Sequence, residues 1–398
     1  MRRFWILGLM LIAGAALLAS CAKRSNKFIV ITSGKLFTIP AAPSGGSPPI
    51  SSTSLSGNKF LLTDASGKRT IHAYFPPGHP TVTGVSSQQR YPALYLLGDF
   101  DQTSEQLGKF YQIQALMDDL IANQEVDSLV VFLIGGDEQN ANINLGGCFF
   151  ANNLLIGDWS AYIAEDLIPA LDTIYLNFRL DVNRRAIAGL GMGGYGAFRL
   201  ALEYPTKFKV VGAMSAPLAL GGSDPAGWLD SYLRPTALAE NGNNFANLTA
   251  VDPFDPAKPA TSWMFAMASA FAARSDTLDQ SGTTYKNILG TNYGVDLFFD
   301  GAGMNPAGTN IWMGWDIENL LNTTYAGALT GKKVYLDCGN ADEFNFDAVN
   351  LRFSQFLTTN NITHSYFEYP GYDGHDAMHG DFNYDRLKEL FKFVSANM

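Results

Sequence analysis

The sequence predicts an α/β protein built on a mostly parallel, doubly wound sheet, with a cap-like insertion before the last core strands. Three observations carry that prediction. Short apolar, β-rich runs recur through residues 57–398, amphipathic stretches lie between them, and one glycine-dense turn passes straight from strand to helix. The strand candidates are FLLTD, TIHAYFP, YPALYLLG, SLVVFLIGG, RRAIAGLG, FKVVGAMSA and KKVYLDCG. The later runs are apolar throughout, as expected of strands covered on both faces of a parallel sheet. YQIQALMDDLIA, WSAYIAEDLIPALDTIY and YGAFRLALEYP supply helical periods between them. Residues 218–330 break the rhythm with Gly, Asn, Pro and aromatic residues around the helix-like SWMFAMASAFAAR. That segment is expected to lie over the carboxyl ends of the strands, where open α/β sheets bind ligands.

The amino end reads differently. Arg2 and Arg3 precede an apolar run from Phe4 to Ala19, the pattern of an export signal, although its length approaches the lower limit of a membrane span. Leu18, Ala19, Ser20 and Cys21 resemble the lipobox of bacterial lipoproteins, which implies cleavage after residue 20 and acylation of Cys21. An ordinary secretory signal with a chance cysteine is the alternative. Ala22 follows the cysteine, which in a two-membrane host favours the outer membrane. Residues 21–56, with AAPSGGSPP at 41–49, are expected to tether the domain at 57–398 to the membrane.

Charge narrows the partners. Residues 1–20 hold two of the 27 basic residues and none of the 37 acidic ones, so removing them takes the net charge from −10 to −12. Phosphate binding needs a basic footprint, and this balance argues against nucleic acid. Beyond Cys21 only Cys148 and Cys338 remain, as a disulfide that export would permit or as two buried thiols.

The most informative segment is Arg185 to Arg199, RAIAGLGMGGYGAFR. A strand runs into a tight turn and directly into a helix, the frame of the nucleophile elbow G-x-S-x-G. Gly189, Met192 and Gly193 stand where that frame requires them, and Gly191 stands where the serine belongs.

From these residues the chain resembles the esterase D-like group of the α/β-hydrolase fold, which includes S-formylglutathione hydrolases, feruloyl-esterase-type enzymes and mycolyltransferases. YPALYLLG at 91–98, the segment 149–175, ALEYPTKFKVVGAMSA at 201–216, VYLDCGNADEF at 334–344 and GYDGHD at 371–376 extend the likeness over most of residues 58–398. The resemblance implies a triad acid at Asp342, with Glu343 as the neighbouring fallback, and a triad histidine at His375. It also implies an oxyanion hole at Met192 and the loop carrying Asp99 and Phe100. Family members commonly have His-Gly in that loop; here it reads Gly98-Asp99-Phe100-Asp101. A carboxylate at Asp99 would oppose a developing oxyanion unless it turns to solvent. With no hydroxyl at 191, the expectation is a catalytically impaired envelope lipoprotein that keeps a pocket for an ester, acyl or glycan ligand, or serves as a scaffold. No cofactor is expected.

Other readings remain open at this level. His375 could activate a water directly, or Ser215 could substitute as nucleophile. Gly189, Gly191 and Gly194 spell a dinucleotide fingerprint, but the next strand, KVVGAM, offers no acidic residue. His375, Asp376 and His379, helped by His364 or Asp381, suggest a metal site, though without a complete ligand spacing. Trp263, Phe265, Phe271, Trp312 and Trp315 either line an apolar groove or simply pack the insertion.

Overall fold

The apolar runs assemble into one sheet. Among the described residues its strands are β1 (Lys35–Ile39), β2 (Leu62–Thr63), β3 (Thr70–Phe75), β4 (Tyr91–Leu97), β5 (Val130–Ile134), β6 (Leu180–Leu190), β7 (Val210–Met214), β8 (Lys333–Gly339) and β9 (His364–Tyr369). They lie in the order β1-β3-β5-β4-β6-β7-β8-β9, with β2 beside β3. The pairings from β5 to β9 are parallel, and the three made by β3 are antiparallel.

The computed structural model describes residues 35–39, 62–63 and 70–398, except 85, 137–138, 141–142, 145, 154–156, 174–175, 222–226, 249–253, 275–283, 286–293, 371–376 and 381–382. All described residues belong to one compact unit, residues 34–398. Residues 1–20 and Cys21 therefore lie outside the described residues. No helix among the described residues is long and apolar enough to cross a membrane.

Alternate residues of β4 serve two cores, which explains its unbroken apolar run. Tyr91, Ala93, Tyr95 and Leu97 enter one core; Leu94 and Leu96 enter the other. The first core is shared with α3 (Met192–Glu203), α4 (Pro259–Phe271) and α5 (Phe346–Thr359). On the opposite face pack α1 (Ser104–Phe110) through Leu107, α2 (Ile113–Ala122) through Leu116 and Leu120, and α6 (Asn383–Ala396). Leu387, Leu390, Phe391 and Val394 of α6 are buried there, each side chain contributing about 1.5–3 kcal/mol. That burial fixes the position of the neighbouring Arg386.

The chain places β5 on one side of β4 and β6 on the other, so the direction of winding reverses between β4 and β6. This is the switch point at whose carboxyl edge open α/β sheets place ligands. Asp99 leaves β4 at that edge, and Gly191 leaves β6. Asp342 and His379 follow β8 and β9.

The chain between β7 and β8 carries α4 and several shorter helices and strand pairs. Every residue of α4 from Ala260 to Phe271 is buried, as its all-round apolar sequence requires, and Pro259 occupies the first turn, where no hydrogen-bond donor is needed.

Candidate active site

Gly191 adopts φ 52° and ψ −114°, the strained corner an elbow needs. Its N–H donates to the Met214 carbonyl at 2.7 Å, and its carbonyl accepts from Tyr195 N at 3.1 Å, opening α3. The flanking glycines are required by close approach. A Cβ on Gly189 would stand 2.8 Å from Gly193 Cα, and one on Gly193 would stand 2.6 Å from the Leu97 carbonyl carbon. The frame is intact around a position with no side chain.

Asp99 takes that place. A Cβ on Gly191 would lie 2.6 Å from Asp99 Cγ and closer still to Oδ1. Asp99 Oδ1 accepts the Met192 N–H at 3.0 Å, the donor expected of the oxyanion hole. Oδ2 lies 2.8 Å from His379 Nε2. The carboxylate is buried, not turned to solvent. The turn beneath it is fixed from both sides: Asp99 N donates to Gln102 Oε1 at 3.0 Å, and Gln102 N donates to the Asp99 carbonyl at 3.1 Å. Gln102 Nε2 in turn donates to Tyr111 OH at 2.6 Å. Thr103 caps α1 with a reciprocal bond to Gln106, which ends the turn cleanly.

The histidine at the site is His379. Its Nδ1 lies 3.0 Å from Asp342 Oδ2. His375, the expected triad member, lies outside the described residues; among the described residues the imidazole that meets the acid is that of His379. Backbone pairing explains the choice: Ala341 N donates to the Ala377 carbonyl at 3.1 Å, and His379 N donates to Glu343 Oε2 at 2.8 Å. These bonds lay the segment after residue 376 against the end of β8. Glu343, the fallback acid, thus holds the histidine backbone and leaves the imidazole to Asp342. Asp342 Oδ1 accepts from Phe344 N at 3.0 Å.

A carboxylate on each ring nitrogen favours a proton on both, the imidazolium form of His379. Burial works against that charge, but Asp99 and Asp342 outweigh it and hold the pKa up at about 10. Burial would likewise raise the Asp342 carboxyl, yet the neighbouring imidazolium and the Phe344 N–H keep it below its ordinary value. Phe344, Phe346 and Trp263 surround the ring, with centroids 5.2, 5.5 and 6.2 Å away. Phe100 stacks on Trp263 at 5.4 Å, so its ring belongs to this aromatic cover.

Arg386 supports the histidine from behind. It is fully enclosed, donates from Nη1 to the His379 carbonyl at 3.0 Å and from Nε to Asp337 Oδ1 at 2.9 Å, and gives Nη2 to Ser215 Oγ at 2.8 Å. This explains Ser215: its hydroxyl is buried between Arg386 and the Cys338 thiol, 3.4 Å away, and serves as a pocket-wall group rather than a second nucleophile. Cys148 and Cys338 are both buried thiols with no disulfide between them, and burial pushes the Cys338 thiol further from ionisation.

Three other expectations meet the structure here. Among the described residues no group of three His, Cys, Asp or Glu could hold a metal, while His375, Asp376 and Asp381 lie outside them. The first amide of α3, which a dinucleotide phosphate would need, is taken by Asp99. Trp263, Phe265, Phe271 and Trp312 are buried within the first core, and partly buried Trp315 stacks on Phe271 beneath the Arg199 guanidinium. These rings pack the insertion.

A family model described as "Putative esterase" matches residues 64–384. The chain belongs to that esterase family. Among curated proteins, an endo-1,4-beta-xylanase/feruloyl esterase of Xylanibacter ruminicola is 28% identical over 154 residues, which cover 38% of this chain and 20% of that protein. The chain thus spans about a fifth of that relative. Among solved structures, a ferulic acid esterase aligns over 92% of this chain and 99% of its own, with TM-score 0.53 and 17% identity. An S-formylglutathione hydrolase from Agrobacterium tumefaciens covers 83% of this chain and 90% of its own, with TM-score 0.49 and 16% identity. The first of these structures agrees with the α/β-hydrolase fold read from the strand order and elbow.

Proposed function

We propose that this esterase-family chain is an exported lipoprotein, anchored through Cys21, in which serine-type ester hydrolysis is absent. One observation carries the reading: the Asp99 carboxylate fills the space of the missing residue-191 side chain, satisfies the Met192 N–H and pins His379 as an imidazolium. A working triad needs a neutral imidazole facing a hydroxyl and an empty oxyanion hole. All three are missing from this arrangement. The same pinning weighs against direct activation of water, because Nε2 already carries a proton. What the fold retains is a scaffold for an ester, acyl or glycan ligand at the membrane surface. The feruloyl esterase names of the relatives make feruloyl esters the first ligands to try.

The test is hydrolysis of p-nitrophenyl acetate and butyrate by the native chain, Gly191→Ser, and Gly191→Ser with Asp99→Gly, each with and without His379→Ala. The native chain and the single variant are expected to be silent, and the paired variant to gain turnover that His379→Ala abolishes. Native turnover that disappears with His379→Ala would overturn the reading. For the anchor, labelled palmitate is expected to enter the native chain and not Cys21→Ala; equal labelling of both would exclude Cys21.

A further inference from the structure

Resting on the reading that the chain is exported and held at a membrane through Cys21, we propose that the amino end of the sheet is a docking face for an anionic phospholipid bilayer. The site of Asp99 and His379 lies at the opposite end, about 20 Å away along β4 at the rise of a strand, and would face away from the membrane. Four parallel strands begin side by side at the amino end, and basic residues lead into each. Arg90 precedes β4, Arg179 precedes β6 with Arg184 in its first half, Lys207 and Lys209 precede β7, and Lys333 opens β8. Their contacts make them neighbours. Tyr91 N donates to the Arg179 carbonyl at 2.7 Å, and Arg184 Nη2 donates to the Arg90 carbonyl at 3.1 Å. Lys209 N donates to the Arg185 carbonyl and Lys333 N to the Lys209 carbonyl, each at 2.9 Å.

The neighbouring carboxylates do not cancel this charge. Asp181 is taken by Arg184 at 2.8 Å and Asp172 by the buried Arg185. Arg90, Lys209 and Lys333 are exposed, Arg179 and Lys207 half-buried, and among the described residues none of the five makes a salt bridge. Asp127, exposed three residues before β5, bounds the patch on that side. Two apolar side chains stand among the cations: Leu176, 71% exposed, three residues before Arg179, and Val182, 47% exposed, two before Arg184. A nucleic acid or a free phosphate offers these two side chains nothing to meet. A bilayer surface offers phosphate groups to the cations and an acyl boundary to the leucine and valine. The chain as a whole carries −10, so an anionic bilayer repels the rest of its surface and the patch sets orientation as well as affinity.

The experiment offers the full chain a mixture of two vesicle populations, phosphatidylcholine alone and phosphatidylcholine with phosphatidylglycerol, the second loaded with sucrose so that sedimentation separates them. What residues 1–33 contribute is common to every variant, so the distribution ratio reads the folded domain. One Lys near an anionic surface contributes about fivefold, so Lys209→Gln with Lys333→Gln is expected to lower the anionic-over-neutral ratio about twentyfold. Lys109→Gln with Lys258→Gln removes the same charge elsewhere and is expected to leave the ratio unchanged. Folding of each variant is checked by circular dichroism. An unchanged ratio in the first folded variant, or an equal fall in both, would overturn the inference. Hydrogen exchange locates the contact: residues 176–184 are expected to be protected on the anionic vesicles and not by inorganic phosphate alone. Equal protection by phosphate would remove the bilayer as the partner. Palmitate labelling of the same samples separates the two ideas. A chain labelled at Cys21 whose ratio ignores Lys209 and Lys333 overturns only the docking face, whereas a chain that takes no label at Cys21 overturns the reading beneath it.

Discussion

The Asp99 carboxylate and the side chain of residue 191 compete for one volume: a Cβ at 191 would stand 2.6 Å from Asp99 Cγ. Glycine at 191 and aspartate at 99 therefore depend on each other. Gly191→Ala is expected to cost about 1–3 kcal/mol from its positive φ alone, plus the expulsion of the carboxylate. Adding Asp99→Gly removes the collision, so the two substitutions are expected to be less costly together than their sum. Denaturant unfolding in a double-mutant cycle measures that coupling; strict additivity would contradict the shared volume.

His379 gives the site a pH signature. Its folded pKa, about 10, lies above the ordinary 6.5, so its contribution to stability is fully present below about pH 6.5 and is lost as pH rises through 10. Asp99→Asn removes one of the two carboxylates that raise it. The stability difference between native and variant chains is expected to be largest near about pH 6 and to shrink towards pH 10. Imidazole resonances followed by NMR should titrate at lower pH in the variant; an unchanged midpoint would rule out the pairing.

Arg386 neutralises Asp337 inside the fold. Arg386→Met leaves that carboxylate buried without a cation and frees the His379 carbonyl, an expected loss of about 3–5 kcal/mol. Arg386→Lys, which keeps the charge but not the three-way geometry, is expected to lose less. A midpoint shift under about 1 kcal/mol for the methionine variant would show the network to be dispensable.

Asp316 offers an independent test in the insertion. Burial raises its carboxyl to about 6, although it accepts the Asn319 N–H at 2.6 Å and a second N–H from Leu220. The folded state therefore holds a proton that the unfolded state releases at lower pH, and stability falls as pH climbs from about 4 to 6. Asp316→Asn does not ionise, so its stability relative to the native chain should improve across that window. Parallel curves for the two proteins would refute the assignment.

Much of the fold was legible because strands covered on both faces declare themselves as unbroken apolar runs, and the elbow glycines answer to contacts that only glycine permits. β4 and β6 could be placed that way. β2 falls inside the candidate FLLTD, but the antiparallel edge strand β1 could not be placed, since it lies in the segment read as a tether. At the site, motif and chain order point to Asp342 and Met192. They do not point to His379, whose approach to the acid rests on the backbone pairing of Ala377 with Ala341. Asp99 was noticed as a departure, but its inward turn depends on the cavity left by Gly191, a relation across 92 residues that neither local segment reveals. Arg386 was missed although a signal existed: Arg386, Leu390 and Val394 are spaced by four, which puts the arginine on the apolar stripe of α6.

The order in which these residues leave the ribosome has its own consequence. Asp99, Asp337 and Asp342 are all made before His379 and Arg386, the two cations that neutralise them in the folded state. A nascent or carboxyl-truncated chain that tried to close its sheet would have to bury three like charges together. Burying those carboxylates is costly until the two residues that pair with them have been made.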